Sequence, residues 1–216
     1  MSPGSGGGER RQPPFDTTMS AQRAVVKSKM SSFRICHQRL HARRLGARID
    51  NLANGNKMHP TRNTLPEAVR LKSIDVLAKH LAAAIDLHAQ MKQAHWNVRG
   101  PTFIAIHELF DRVSTEVEGH SDLIAERIGA LGGTAAGGIK VVFEQSYLVP
   151  YTLGVADAQQ HVFAVAGALA GFGGAVREAI ATVAAADDAV TADMLTEVLR
   201  GIDRQLWFVE SHGTHK

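Results

Sequence analysis

The most restrictive feature of this chain is the stretch LPEAVRLKSIDVLAKHLAAAIDLHAQMKQAHWNV, in which apolar residues recur at steps of three and four. That period predicts a long amphipathic helix over roughly 65–98, with Pro66 where a first helical turn tolerates a missing N–H. The RGP at 99–101 breaks it, since glycine ends helices and the residue before proline leaves the α region. Thr102 is placed to cap a second helix running to about Leu131, where Gly132 and Gly133 stop it. A third helix is expected over roughly 156–185, rich in Ala and Gly, with Gly167 and Gly171 small enough to permit close helix packing. Asp187, Asp188 or Thr191 then caps a fourth, which ends near LWFVESH. The segment 134–154 holds Gly137, Gly138, Pro150 and Gly154, and its VVFEQSYLV is too brief to pair as a sheet by itself. It reads as a long crossover with room for one short helix.

Four helices with one long connection between the second and third is the ferritin-like wiring of an all-α four-helix bundle. At 216 residues and 44% apolar content the chain supports one globular domain with a tail rather than two domains. The longest uncharged apolar run, Val162–Val176, contains four glycines and is shorter than the ~20 residues that span a bilayer. No membrane span is expected. A single cysteine, Cys36, closes no intramolecular disulfide and builds no zinc cluster, which points to a reducing, cytoplasmic compartment. Trp207 and Phe208 read as core residues and His88 as a surface histidine.

The net charge of +3 conceals an asymmetry: residues 1–57 carry a balance of +8 and residues 58–216 one of −5. We therefore divide the chain into a basic extension, 1–57, and a helical domain, 58–216. The opening MSPGSGGGERRQPP has no periodic apolar face and is expected to be disordered, while RICHQRLHARRLGARIDNLANGN has the character of a short basic helix. Three readings of this arm stand: a basic tail for nucleic acid or another acidic surface, a targeting peptide, or a stretch upstream of a later start at Met19, Met30 or Met58.

The second helix carries HELFDRVSTEVEGHSDLIAERIG. His107 and Asp111 are four apart, as are Asp122 and Glu126, so each pair lies on one face. The eleven-residue step from Asp111 to Asp122 is about three turns and returns to nearly the same face. Taken alone, such pairs are usually solvated. Together they make a stripe of imidazole and carboxylate, a set suited to iron, zinc or manganese, and with open positions to non-haem Fe(II) oxidation. HELFD has an aspartate where the HExxH zinc motif needs its second histidine, which argues against zinc proteolysis. Glu-x-x-His, the motif of an internal di-iron centre, does not occur in the chain.

Reach then constrains the architecture. His107 and Asp122 are about 22 Å apart along the helix axis, too far to serve one metal within one chain. Two copies of this helix running antiparallel across a two-fold axis would bring the pairs together and make two equivalent sites. His95, just across the RGP turn, is placed to complete each site.

KQAHWNVRG with FIAIHELFD, then HSDLIAERIGALGG, and TADMLTEVLRGIDRQLWFVES near the end closely resemble the Dps family, the DNA-binding proteins from starved cells, which are miniferritins. The resemblance covers about 60–212. It implies a hollow homo-dodecamer of four-helix subunits with ferroxidase centres at two-fold interfaces. His95, His107 and Asp111 would come from one subunit, and Asp122 and Glu126 from its neighbour. It further implies oxidation of Fe(II), preferentially by hydrogen peroxide, and storage of Fe(III) inside the shell, which protects DNA. The family places a tryptophan beside the centre, where Trp96 stands; a packing role at a helix end explains that residue equally well. Acids near the start of the fourth helix imply an iron-entry pore lined by Asp187, Asp188 and Asp193, although the spacing of DDAVTAD departs from the family pattern. Members that bind DNA do so through basic tails, which would assign non-specific phosphate contacts to Arg10, Arg11, Lys27, Lys29, Arg39, Arg43, Arg44 and Arg48. The alternative function is a non-catalytic, nucleoid-compacting DNA-binding protein with a vestigial metal face.

Overall fold

A computed structural model describes residues 58–155 and 157–213. The basic extension, with its eight arginines and lysines named above, lies outside the described residues. The domain contains α1 (Glu67–Asn97), α2 (Phe103–Ala130), α3 (Ile139–Gln145), α4 (Ala158–Ala184) and α5 (Ala189–Glu210), and no strand among the described residues. The architecture is the expected ferritin-like bundle of four long helices, with a short helix in the crossover.

The packing follows from the periodicity. Leu77, Leu87 and Met91 of α1, Val113, Val117 and Ile124 of α2, Val165, Leu169 and Phe172 of α4, and Leu195, Val198 and Ile202 of α5 are all fully buried in one core. At ~1.5–3 kcal/mol for each fully buried large apolar side chain, this shared core is the main stabilising term. α1 and α2 run antiparallel, since His88 meets Ser114, Lys92 meets Asp111 and His95 meets His107. α4 and α5 are antiparallel as well, joined by Arg177 with Asp203 and by Gln159 with the carbonyl of His212.

The crossover has to travel the length of the bundle. α2 ends beside the start of α1, where Arg70 Nη1 donates to the carbonyl of Leu131 at 3.0 Å. α4 begins beside the end of α1, where Arg99 and Asp157 form an isolated bridge. On the way the connection is fastened to α1 by polar bonds: Ser146 to Asp86 at 2.5 Å, Tyr147 with His80 at 2.8 Å, and Gln90 to the carbonyl of Val149 at 3.1 Å.

The turn between α4 and α5 is the most closely bonded corner. Asp187 adopts a left-handed φ of 63°, a conformation usually left to glycine at helix ends. Asp188 is the N-cap of α5, accepting from the Thr191 N–H at 3.0 Å. Its carboxylate also takes Ser73 at 2.7 Å and Arg127 at 2.9 Å. A buried carboxylate is tolerated because each lone pair is used and the charge is paired. These bonds and the Arg127 charge outweigh burial and hold Asp188 below the usual carboxylate range.

Several expectations are corrected. Thr102 occupies the N-cap position of α2, but its side chain makes no capping bond. Gly167 and Gly171 are open, with nothing within 4 Å of an added Cβ. Within the long helices the tightest approach is at Gly201, where a Cβ would fall 2.6 Å from both Glu116 Oε1 and His120 Nε2. Trp207 is 64% exposed and Phe208 37%, because the buried stripe of α5 runs through Gln205 and Val209 instead. His88 is half-buried, with Nδ1 3.1 Å from the Ser114 carbonyl. α4 is long and apolar enough, by length and composition, to cross a membrane. A core helix passes the same test, and in the bundle one stripe of α4, including Val165, Leu169, Phe172 and Val176, is core.

Three buried histidines give the fold an acid sensitivity. Desolvation, with Lys79 adding to it, pushes His80 down to about 4, and burial lowers His120 and His161 as well. In the unfolded chain each titrates near ~6.5, so below that pH the unfolded state binds more protons than the folded one. Stability should therefore be level above pH ~6.5 and fall as the pH drops toward ~4. The urea midpoint of the full chain, followed from pH 7 down to 5, should decrease, and His80→Gln should flatten the slope; a pH-independent midpoint would contradict this account.

Candidate metal centre

The last turn of α1 and the first two turns of α2 build the site. Their antiparallel pairing stacks the rings of His95 and His107, centroids 3.7 Å apart and planes 21° from parallel. Each imidazole bonds to the backbone of the other residue: His95 Nδ1 lies 2.8 Å from the His107 carbonyl, and His107 Nδ1 lies 2.9 Å from the His95 carbonyl. A carbonyl only accepts, so both Nδ1 atoms carry the proton and both Nε2 atoms keep a lone pair. The His95 carbonyl is also one of the last in α1, which have no partner within the helix. One reciprocal pair of bonds thus closes a helix end and orients two potential ligands, as second-shell bonds orient metal-bound histidines. Phe103 packs against His107, ring centroids 4.9 Å apart.

Asp111 stands one turn further along α2. Its Oδ1 is 4.0 Å from His95 Nδ1 and accepts a bond of 2.6 Å from Lys92 Nζ. That bond, ahead of the charges of Lys92 and the histidines, holds the Asp111 carboxyl below the usual carboxylate range. Lys92 escaped the sequence reading, although its place three residues before His95 was a usable signal: in an antiparallel pair it must oppose a residue one turn past His107.

The structure brings His95, His107 and Asp111 together and leaves Asp122 and Glu126 apart from them. Both are exposed further along α2, and Asp122 borders a groove lined also by Ile85, Thr115, Gly119 and Gly137. Among the described residues, no group of three or more His, Cys, Asp or Glu side chains closes on an ion within one chain. Trp96 follows His95 and is 61% exposed, so it is no packing residue within the subunit. Of the three acids assigned to a pore, Asp187 and Asp193 are exposed. Asp188 is a correction, because it is fully buried and its oxygens are taken by Ser73, Thr191 and Arg127.

Tyr151 and His161 were also missed. The Tyr151 hydroxyl lies 2.5 Å from His161 Nδ1, and the carbonyls of Asn97 and Val155 border the same imidazole. No local pattern announces this pair, since the crossover alone brings Tyr151 there.

If Lys92 is what depresses Asp111, then Lys92→Met should return the Asp111 titration toward the ordinary carboxylate value of ~3.9. Carboxyl-carbon NMR of the metal-free protein checks it, and an unchanged midpoint would show that the contact is absent in solution.

The model of the ferritin-like domain family matches residues 74–215. The DNA protection during starvation protein of Agrobacterium fabrum is 39% identical over 160 residues, spanning 74% of this chain and 99% of that protein. Among solved structures, the Dps of Mycobacterium smegmatis superposes with a TM-score of 0.68 at 30% identity, covering 71% of this chain and 93% of that one. DpsA14 from Streptomyces coelicolor gives a TM-score of 0.68 at 35% identity, covering 72% and 93%. With the bundle wiring and the α1–α2 site already in place, these matches show that the chain belongs to the Dps miniferritins of the ferritin-like family.

Proposed function

We propose that the protein is a ferroxidase and iron store, active as a symmetric assembly in the cytoplasm. The observation that carries this reading is the pair of Nδ1-anchored histidines beside Asp111, a two-nitrogen, one-oxygen set that finds no further ligand among the described residues of its own chain. Fe(II) as substrate would be held by the Nε2 atoms and Asp111 of one subunit, with Asp122 and Glu126 supplied by a two-fold-related copy. Each Fe(II) gives one electron, so two ions reduce one hydrogen peroxide to water without releasing hydroxyl radical. Lys92 is a resident cation on Asp111 that incoming iron displaces. A dodecameric shell would store the Fe(III), with Asp187 and Asp193 the acids along an entry path. The name of the Agrobacterium relative, DNA protection during starvation protein, agrees with this consumption of peroxide.

Shared sites predict a complementation pattern. His95→Ala alone and Asp122→Ala/Glu126→Ala alone should each lose most peroxide-driven Fe(II) oxidation. In a mixed two-fold pair, one site carries both defects and the other carries none. Co-assembly of equal amounts should therefore recover about a quarter of the intact sites. No recovery in verified mixed assemblies would mean that the two sets of ligands do not share a site.

A second activity is supported by the basic extension, whose balance of +8 contrasts with −5 for the rest. Through Arg10, Arg11, Lys27, Lys29, Arg39, Arg43, Arg44 and Arg48 it would bind DNA phosphates without reading bases. Gel shifts should show binding by the full chain that weakens steeply with salt, and loss of binding by a chain beginning at Met58. Equal binding by the two would remove the extension from the mechanism. DNA compaction by a protein unable to oxidise Fe(II) would favour the non-catalytic alternative.

A further inference from the structure

Gly201 lies inside α5, where glycine is a poor helix former. Its backbone is not left-handed, so no turn calls for it; the room above its Cα does. A Cβ there would fall 2.6 Å from both Glu116 Oε1 and His120 Nε2 of α2, so glycine lets two potential ligand atoms converge over bare backbone. The two helices are antiparallel here, since Arg127 bonds Thr191 while Arg204 bonds Glu116. Glu116 and His120, four apart, share one face of α2, and Gly201 and Gln205, also four apart, meet them from α5.

This cluster holds polar atoms that the fold leaves unsatisfied. His120 is 8% exposed and Gln205 5%. Among the described residues His120 Nε2 and Gln205 Oε1 are buried and make no hydrogen bond, which is uncommon for buried polar atoms. His120 Nε2 stands 3.8 Å from Glu116 Oε1. Gln205 Nε2 donates to Glu116 Oε2, which keeps the amide carbonyl beside the same carboxylate. Ligands of one tetrahedral zinc ion lie about 3.4 Å apart at its usual bond lengths, so a small side-chain shift brings imidazole and carboxylate onto one ion. The cluster is separate from the candidate centre. His107 is thirteen residues before His120, about 20 Å along α2. Asp122, two residues after His120, is turned about 200° round the helix and is exposed.

We propose that His120 Nε2, Glu116 Oε1 and Gln205 Oε1 form a further metal site that takes a divalent ion of the zinc class, with water as the fourth ligand. One imidazole nitrogen with two oxygens suits such an ion. No third His, Cys, Asp or Glu among the described residues joins the set, because the third donor is an amide. Arg204 covers the carboxylate, its Nη2 donating to Glu116 Oε1 at 2.8 Å and Oε2 at 2.9 Å. The Arg204 side chain is 58% exposed, so the ion enters from that side and displaces the guanidinium into water. Arg204 thus weakens binding without blocking it. The site stands independently of the ferroxidase reading.

The test uses the full chain with zinc as the probe. Equilibrium dialysis measures the bound ion, and anomalous diffraction at the zinc edge locates it. A peak should lie between His120 Nε2 and Glu116, over Gly201. His120→Gln and Gly201→Ala, each checked for folding by circular dichroism, should lose that peak while keeping any zinc held by His95 and His107. Arg204→Ala should bind about two- to five-fold more tightly at this site, the weight of an exposed ion pair. Three results would each overturn the proposal: a peak that survives in His120→Gln, density at the site without anomalous signal, as an ordered water would give, or zinc confined to the His95–His107 centre. All three leave the ferroxidase reading intact, since peroxide-driven iron oxidation tests it separately.

Discussion

The antiparallel clasp between the end of α1 and the start of α2 is the interaction on which the rest of the site depends. It consists of two imidazoles, each bonded through Nδ1 to the backbone of the other residue. Helix ends carry carbonyls without intrahelical partners, and histidines with free rotors do not present a lone pair in one direction. The reciprocal bonds answer both conditions. They also set the register that puts Lys92 against Asp111 and His88 against Ser114, so a slip of one turn would rearrange the whole polar face.

Burial divides the polar residues of this domain into two populations. Asp188 is structural: it caps α5, neutralises Arg127 and fastens α1 through Ser73. It can be fully buried because every oxygen is occupied. Asp111, Asp122 and Glu126 remain accessible to water or to a second copy, and Asp111 is paired with Lys92.

The bundle was largely legible in the sequence because helix periodicity is local. Apolar steps of three and four, broken by RGP and by Gly132–Gly133, mark α1 and α2 to within a residue or two, and the glycines of the crossover mark where no long helix can form. Orientation was less legible. Gly167 and Gly171 have the composition of a close-packing face yet turn outward, while Gly201 makes the tight approach to Glu116 and His120. Trp207 and Phe208 are apolar enough for a core, but the rotation of α5 about its axis places Gln205 and Val209 there instead.

The amino-acid order by itself determined the four long helices, the long connection, the charge division at residue 57, and the fact that His107 and Asp122 are too far apart to share a metal in one chain. Each follows from the fixed rise and turn of an α-helix or from counting charges. Only the tertiary structure decided which ring nitrogens are free, that Lys92 sits on Asp111, that Asp188 is withdrawn from any pore, and that Tyr151 reaches His161. Those outcomes depend on helix rotation and on the path of the crossover, which are set by packing across the whole bundle and leave no periodic trace in the chain.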